Sequence, residues 1–261
     1  MKKIKPGKRG VLFIAIGLVS YLCFLVSGIP ASFAYTKFIV PMDRGRVLNL
    51  QGLTGTIWAG GAAETRIAGL SLGKLQWDMH ILKLFTGKLA LDVILESKEG
   101  RIEGEVQAGT GGELTLQSVR GRLPVQTFMP LFYGMPFAVS GSVNADINHA
   151  EIIPGKKLVV DGKVIWHAAA LTAPQAFEFG DLFMVLRPMP DGSNILLKDQ
   201  GGPLDLDGNI QIKNSGEYKA NLLLGTRGKQ DDLELALKIL GRTNPQGKVQ
   251  VSRTGRLQNW R

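Results

Sequence analysis

The sequence predicts a mainly β protein: a single N-terminal transmembrane helix followed by a largely antiparallel, curved β-sheet domain with one or two short helices. Three observations support this prediction. A long uncharged run follows a basic N-terminus, apolar and polar residues alternate through much of the remaining chain, and 33 glycines are spread among the alternating runs. Glycine in that distribution is typical of many tight turns between strands.

The predicted membrane anchor occupies residues 11–30, between a basic cytoplasmic tail at 1–10 and a short linker at 31–41. Nineteen residues from Val11 to Ile29 carry no charge. A helix rises about 1.5 Å per residue, so a run of this length matches the hydrocarbon core of a bilayer. The five lysines and arginines before residue 10 favour a cytoplasmic N-terminus. The anchor is therefore expected to be single-pass in a Gram-negative inner membrane, with the domain at 42–261 in the periplasm.

A cleaved signal peptide is the alternative interpretation of the N-terminus, because it has the same order of charged and apolar residues. Ser32-Phe33-Ala34 offers small residues at the spacing that processing requires, which would place the cut after Ala34. The apolar core of a signal peptide is usually about 7–15 residues long, shorter than this run. The length of the run therefore favours a retained anchor.

The domain at 42–261 is predicted to consist of strands in which every second residue is apolar. Between Lys88 and Leu95, for example, leucine or valine alternates with other residues. The same pattern recurs at 101–106, 113–116, 139–147, 158–166 and 204–212. Successive strands begin about 10–15 residues apart, which is too short for helical crossovers and favours an antiparallel meander. One continuous sheet is predicted, although the little-patterned stretch at 150–157 leaves a division into two sub-lobes open.

Two short helices are predicted within this β domain. The apolar stretch from Pro124 to Tyr133 is interpreted as a helical turn that crosses the sheet. The segment Asp231 to Leu240 has leucines at helical spacing, acidic residues at its start and Gly241 as a stop signal.

The charge distribution argues against nucleic acid as a partner. The formal net charge of +9 includes the five basic residues of the N-terminal tail, and the rest of the chain holds 26 basic and 22 acidic residues. No basic block with interleaved aromatic residues occurs there, so the domain lacks an electrostatic footprint for nucleic acid. Cys23, the single cysteine, lies in the apolar run, so neither an internal disulfide nor a cysteine-based zinc site is expected.

No catalytic, cofactor-binding or metal-binding residues are predicted, and the protein is not expected to be an enzyme. The histidines His80, His149 and His167 are scattered and form no metal-binding spacing. The glycine-rich stretches at 52–56 and 109–112 lack the lysine of a phosphate-binding loop. Single acidic residues on outward positions are interpreted as a solvated strand face; they are Asp92, Glu103, Glu105, Asp205 and Asp207.

The residue order across the chain resembles the N component of type II secretion systems. The block Leu53-Thr54-Gly55-Thr56-Ile57-Trp58-Ala59-Gly60 is followed by Leu75-Gln76-Trp77-Asp78. Further matching elements are Gly201-Gly202-Pro203-Leu204, Gly208, Gly216-Glu217-Tyr218, Leu237 to Gly241 and Gly247 to Leu257. The centre of the chain, from Leu123 to Asn194, carries no matching motif.

This resemblance implies an accessory, scaffolding subunit of the inner membrane that supports export of folded periplasmic proteins across the outer membrane. Its partners would be the bilayer and other type II secretion components. It also implies that the motif residues are structural rather than catalytic; they are Gly55, Thr56, Trp58, Gly60, Trp77, Gly202, Pro203, Gly208 and Gly241. In physical terms, Gly55 and Gly60 would permit unusual backbone angles, and the two tryptophans would supply large buried rings. Contact of these residues with a partner is the alternative.

A second function stays open at this point. The family is similar to proteins with long curved sheets and an apolar concave face, which implies a module that handles lipid or another apolar ligand in a β-sheet groove. The alternation of apolar residues fits both functions, because a dry core and an apolar groove have the same period of two.

Overall fold

A computed structural model describes residues 8–43, 47–98, 100–109, 111–132 and 137–257 of the chain. The helices are α1 Lys8–Ser27, α2 Ala31–Ala34, a π-helical segment Tyr35–Ile39, α3 Val40–Asp43, α4 Ile81–Leu84, a 3-10 helix Val125–Phe132 and α5 Asp231–Leu240. The strands are β1 Leu48–Gln51, β2 Thr54–Gly55, β3 Ala59–Ile67, β4 Leu70–Met79, β5 Lys88–Ser97, β6 Gly100–Gly109, β7 Leu114–Pro124, β8 Ala138–Ile153, β9 Lys157–Ala173, β10 Phe177–Met189, β11 Gly192–Asp199, β12 Leu204–Lys213, β13 Glu217–Thr226, β14 Arg242–Thr243 and β15 Val249–Arg256.

The described strands form one antiparallel sheet in which almost every strand pairs with its neighbours in sequence. The order is β1-β3-β4-β5-β6-β7-β8-β9-β10-β11-β12-β13-β15-β14, and β2 extends the β1 side of β3. Strands β8 and β9 pair from Ile153–Lys157 onward, so the stretch at 150–157 is a hairpin within one sheet rather than a boundary between sub-lobes. The predicted meander, the six predicted strand segments and both predicted helices are confirmed. In the first of these helices Pro124 belongs to β7 instead, and Tyr133 lies outside the described residues.

One face of this sheet is apolar from its first strands to its last. Residues directly opposite each other on paired strands share a face, so the registers define a row that runs across eleven strands. Its members are Leu75, Leu95, Ile102, Gly121, Ala145, Val164, Met184, Leu197, Gly208, Leu222 and Val251. We call this side the apolar face. Most members of the row are half-buried, because helices cover the face only in places.

The densest core lies where α5 covers the apolar face near the C-terminal end of the sheet. Leu233 and Leu237, on one side of α5, are 3% and 6% exposed. They pack against Leu204, Leu206, Leu224 and Val249 of the last strands. Burial of a leucine side chain contributes about 1.5–3 kcal/mol, so two leucines suffice to hold this short amphipathic helix on the sheet.

The N-terminal segment is helical from Lys8 to Ser27 and, after a break at Gly28–Pro30, from Ala31 to Asp43. The stretch at 31–41, predicted to be a short linker, is thus helical, with a π-helical segment in its middle. In the part of the chain that the structure describes, no helix combines the length and the apolar character needed to cross a membrane. The predicted transmembrane anchor therefore stays a prediction.

Candidate functional site

The first edge of the sheet is covered by the N-terminal helical segment, and the motif at 55–60 forms the contact. The carbonyl of Val26, near the end of α1, accepts a hydrogen bond from the indole N–H of Trp58 at 2.9 Å. The carbonyl of Ile29 accepts one from the backbone N–H of Ile57 at 3.1 Å. Pro30 also forms an isolated antiparallel bridge with Thr56. We call this contact region the junction.

The edge of β1 is closed by a side chain of the same helical segment. The hydroxyl of Tyr35 donates to the carbonyl of Leu48 and accepts from the N–H of Leu50, both at 3.1 Å. Tyr35 thereby occupies backbone groups that a neighbouring strand would use. The N-terminal segment thus covers both β1 and β2.

A tight turn presents the motif residues to the junction. Gly55 has a φ of +78°, a conformation that side chains disfavour, and the N–H of Thr56 then donates to the carbonyl of Ala59 at 2.9 Å. The Thr56 hydroxyl accepts from the N–H groups of Trp58 and Ala59 at 3.2 and 3.3 Å. This turn aims the Trp58 indole at the end of α1.

Gly60 is required because the second motif tryptophan packs directly over it. A Cβ atom at Gly60 would lie 2.6 Å from the carbonyl oxygen of Thr54 and 2.6 Å from a ring carbon of Trp77. Trp77 is opposite Gly60 in the register of β3 and β4. The sequence interpretation expected both tryptophan rings to be buried, whereas both are half-buried. Trp58 instead acts through its hydrogen bond to α1.

An apolar cavity of about 390 Å³ lies between the helical segment and the first strands. Its walls include Ala31 and Tyr35 on the helical side and Leu50, Trp77 and Val93 on the apolar face. The junction therefore joins helix and sheet at its rim by hydrogen bonds and leaves an open apolar space beneath them.

The Gly201-Gly202-Pro203-Leu204 element forms a loop organised by Asp199. One carboxylate oxygen of Asp199 accepts from the N–H of Gly201 at 2.9 Å, and the other accepts from the N–H of Leu206 at 2.8 Å. The guanidinium group of Arg227 donates to the same carboxylate and to Asp205. Pro203 is bound through its carbonyl, which accepts from the N–H of Arg227 at 2.8 Å. The loop is thus tied to the end of β13.

Burial raises the pKa of Asp199, but the Arg227 guanidinium and the two backbone N–H groups outweigh this effect and lower the pKa to about 2. The Asp199 side chain is 5% exposed. The pKa of Arg227 is raised, chiefly by its hydrogen bond to Asp199. Sequence reasoning missed both residues, since they lie 28 positions apart; the Asp199 position two residues before a Gly-Gly pair was the only local signal.

The remaining motif glycines lie where another chain segment approaches closely. Gly202 packs against the backbone of Phe179. Gly208 is buried in the apolar row beneath Leu222. Gly241 ends α5 in an extended conformation next to the carbonyl of Gln250. The structure therefore gathers the predicted residues into two separate groups: Gly55, Thr56, Trp58, Gly60 and Trp77 at the junction, and Gly202, Pro203, Gly208 and Gly241 around the last strands.

His80, Asp92 and Glu105 form a polar cluster on the other face of the sheet, with one potential metal-ligand atom each within 4.8 Å of one another. His80 Nε2 lies 2.9 Å from a carboxylate oxygen of Asp92. The ammonium group of Lys83, in α4, already binds Glu105. Burial raises the pKa of Glu105, but hydrogen bonds from Lys83 and Gln107 lower it overall. This arrangement fits an ion-pair network that fastens α4 to the sheet.

A third polar group stabilises a distortion in β9 and β10. The carboxylate of Asp181 accepts from the N–H of Ala168 at 2.8 Å and lies 2.9 Å from His167 Nδ1. Ala168 has a φ of +46°, and the register between these strands shifts near Gly180. The Ala168 N–H and His167 lower the pKa of Asp181. These hydrogen bonds therefore stabilise the register shift between the two strands.

Comparisons with known proteins identify a single family. The family model described as "Type II secretion system (T2SS), protein N" matches residues 46–252. A "Type II secretion system protein N" of Vibrio cholerae is 24% identical over 95% of this chain and 97% of its own length. A protein of the same description from Aeromonas hydrophila is 23% identical over 96% of this chain and its own full length. No solved structure matches.

Proposed function

The chain belongs to the protein N family of type II secretion systems, and we propose that it serves such a system as an accessory, scaffolding subunit without catalysis. In this role the sheet domain supports export of folded periplasmic proteins across the outer membrane through contacts with other secretion components. The observation that carries the proposal is the family match, which spans the sheet domain from before β1 into β15.

A single-pass position in the inner membrane is part of the proposal. Its support is the uncharged run Val11 to Ile29 behind five basic residues, together with apolar side chains on α1 such as Phe13 and Phe24, which are 71% and 76% exposed. A free helix in water that exposes such side chains is unfavourable. The N-terminus would be cytoplasmic and the domain at 42–261 periplasmic.

The junction would fix the orientation of the sheet relative to the proposed membrane anchor. A tether that ended in a flexible linker would leave the sheet free to rotate against the membrane. Here the end of α1 is bonded to Trp58 and Ile57, and Tyr35 is bonded to β1. The proposed subunit therefore presents its sheet to partners in a defined orientation.

Crosslinking in living cells tests the proposed function. Photoreactive residues placed at exposed positions on the face opposite the apolar face, in a host with an active type II system, should capture components of that system. A parallel strain that lacks the gene should retain exported proteins in the periplasm, and the full chain should restore their release. Capture of no secretion component from any position, with unchanged export, would overturn the proposal. Protease digestion of spheroplasts tests the topology separately, since the domain should be degraded while α1 is protected.

The alternative function, handling of lipid or another apolar ligand, would use the apolar face and the cavity below the junction. A half-covered sheet of any function presents such a face, so the scaffold remains our proposal. Native mass spectrometry of the detergent-solubilised full chain, delipidated and then exposed to phospholipid vesicles, distinguishes the two. Reproducible recovery of stoichiometric lipid would favour the alternative.

A further inference from the structure

The two edges of the sheet differ in a way that points to a binding surface. The β1–β2 edge is covered by the N-terminal segment through the junction and Tyr35. At the other end, β14 pairs with β15 only at Val249 and Gln250. From Val251 to Arg256, β15 is paired on its β13 side alone among the described residues.

The sequence explains why this edge is left unpaired. The segment before β15 begins as α5, whose Leu233 and Leu237 are buried on the apolar face. Gly241 ends that helix, and only Arg242 and Thr243 reach the edge before the turn at 244–247. The chain thus uses these residues to cover the apolar face instead of the edge.

The direction of the edge hydrogen bonds follows from two contacts. The N–H of Leu257 donates to the carbonyl of Gly216, on the β13 side, whereas the carbonyl of Lys248 accepts from Asn244, on the β14 side. Backbone groups of successive strand residues point to opposite sides. Ser252, Thr254 and Arg256 therefore direct their N–H and C=O groups outward, and in the described part of the chain no backbone group meets them.

The charge at this edge is positive. Arg253 and Lys219 are exposed and form no ion pair among the described residues. Arg242, at the start of the edge, is exposed as well. Arg256 lies 3.5 Å from Glu217, and no other acidic side chain in the described ranges lies within ion-pair distance of it. The outward backbone groups and this charge together favour an extended, acidic partner strand.

We propose that the β15 edge, from Val251 to Arg256, binds an extended segment of another secretion component by strand addition. The partner segment places an apolar residue opposite Val251, so that this residue continues the row that ends there. It carries acidic residues opposite Arg253 and Arg256. This inference rests on the proposed scaffold function and names the surface through which that function acts.

The main test uses the full chain in cells with an active secretion system and a photoreactive amino acid in place of Ser252. We expect crosslinks to one secretion component, mapped by mass spectrometry to an extended acidic segment. The same photoreactive residue in place of Lys198, exposed on the interior strand β11, is the control and should give none.

The variant Thr254→Pro removes an outward N–H that no described strand uses, so the described strands retain their own hydrogen bonds. It should reduce the crosslink about tenfold, whereas the matched Thr254→Ala should leave it unchanged. Should Thr254→Pro fail to fold, Arg253→Glu serves instead, because it alters only an exposed charge and should weaken capture by about tenfold as well.

Three outcomes would overturn the inference: a Ser252 crosslink that persists in both Thr254→Pro and Arg253→Glu, a crosslink to a second copy of this chain, or no crosslink at Ser252 while other positions capture secretion components. The third outcome leaves the scaffold function intact. Capture of no component from any position would count against both.

Discussion

Replacement of Asp199 by asparagine should destabilise the protein in a pH-dependent way. The pKa of Asp199 is lowered to about 2 in the folded chain, against an ordinary value of about 3.9 in an unfolded chain. Each pKa unit corresponds to about 1.4 kcal/mol, so the ionised carboxylate contributes about 2.6 kcal/mol of stability at neutral pH. The size of the contribution reflects a carboxylate that is 5% exposed and therefore little screened by solvent.

The direction of the pH dependence follows from the linkage between protonation of Asp199 and folding. Because the folded-state pKa is depressed, the contribution is fully present above about pH 4 and is lost as the pH falls toward 2. Urea unfolding of the full chain in detergent should show Asp199→Asn less stable than the original by about 2.6 kcal/mol at pH 7. This difference should narrow by about 1 kcal/mol at pH 3. Asp207→Asn, which changes an exposed carboxylate on the neighbouring strand, should leave the stability unchanged at both pH values. An Asp199→Asn gap below about 0.5 kcal/mol at pH 7, or one that does not narrow, would refute the reasoning.

Three further predictions concern the junction. Gly60→Ala should lower the free energy of unfolding by about 1–3 kcal/mol through overpacking. The control Gly111→Ala, whose Cβ would meet only one atom at 3.8 Å, should leave it unchanged. Equal free energies of unfolding for the two variants would contradict the close packing of Trp77 on Gly60. Tyr35→Phe removes the hydroxyl that accepts a hydrogen bond from the Leu50 N–H. The Leu50 amide should therefore exchange about fivefold faster, as measured by hydrogen exchange with mass spectrometry. An unchanged exchange rate would show that the β1 edge is covered by other means. Trp58→Phe deletes the indole N–H bonded to α1 and should lower the free energy of unfolding by about 1 kcal/mol. Limited proteolysis should cut faster between α1 and β1. An unchanged cleavage rate would argue against a rigid connection between α1 and the sheet.

The strands and their faces could be predicted from the sequence because the side-chain period of a strand is local. Leu89, Leu91 and Val93 alternate with other residues, and two of them, Leu91 and Val93, lie in the walls of the apolar cavity. Strand β3, with the sequence AGGAAETRI, was not predicted, since glycine and alanine give almost no contrast between faces. Gly60 is instead explained by the close approach of Trp77.

The contacts that build the candidate site could not be predicted in the same way. The Trp58 hydrogen bond spans 32 residues and the Tyr35–Leu50 bond spans 15, and no spacing rule connects such positions. The motif at 55–60 drew attention to the right residues, yet buried rings were the expected role for both tryptophans. The role of Trp58 as a donor to α1 emerges only once the N-terminal segment and the sheet are seen together.

The pairing of nearly every strand with its sequence neighbour also shapes how the protein can form. Loop closure between adjacent strands costs little entropy, so folding can advance by one hairpin at a time, as in repeat proteins. The junction involves residues 26–60, which leave the ribosome before the rest of the sheet. Once they have closed the first edge, growth can proceed in one direction only, and each new strand docks on the edge left by its predecessor. In such a process a partner strand added at the β15 edge would repeat the step by which each described strand docked on its predecessor.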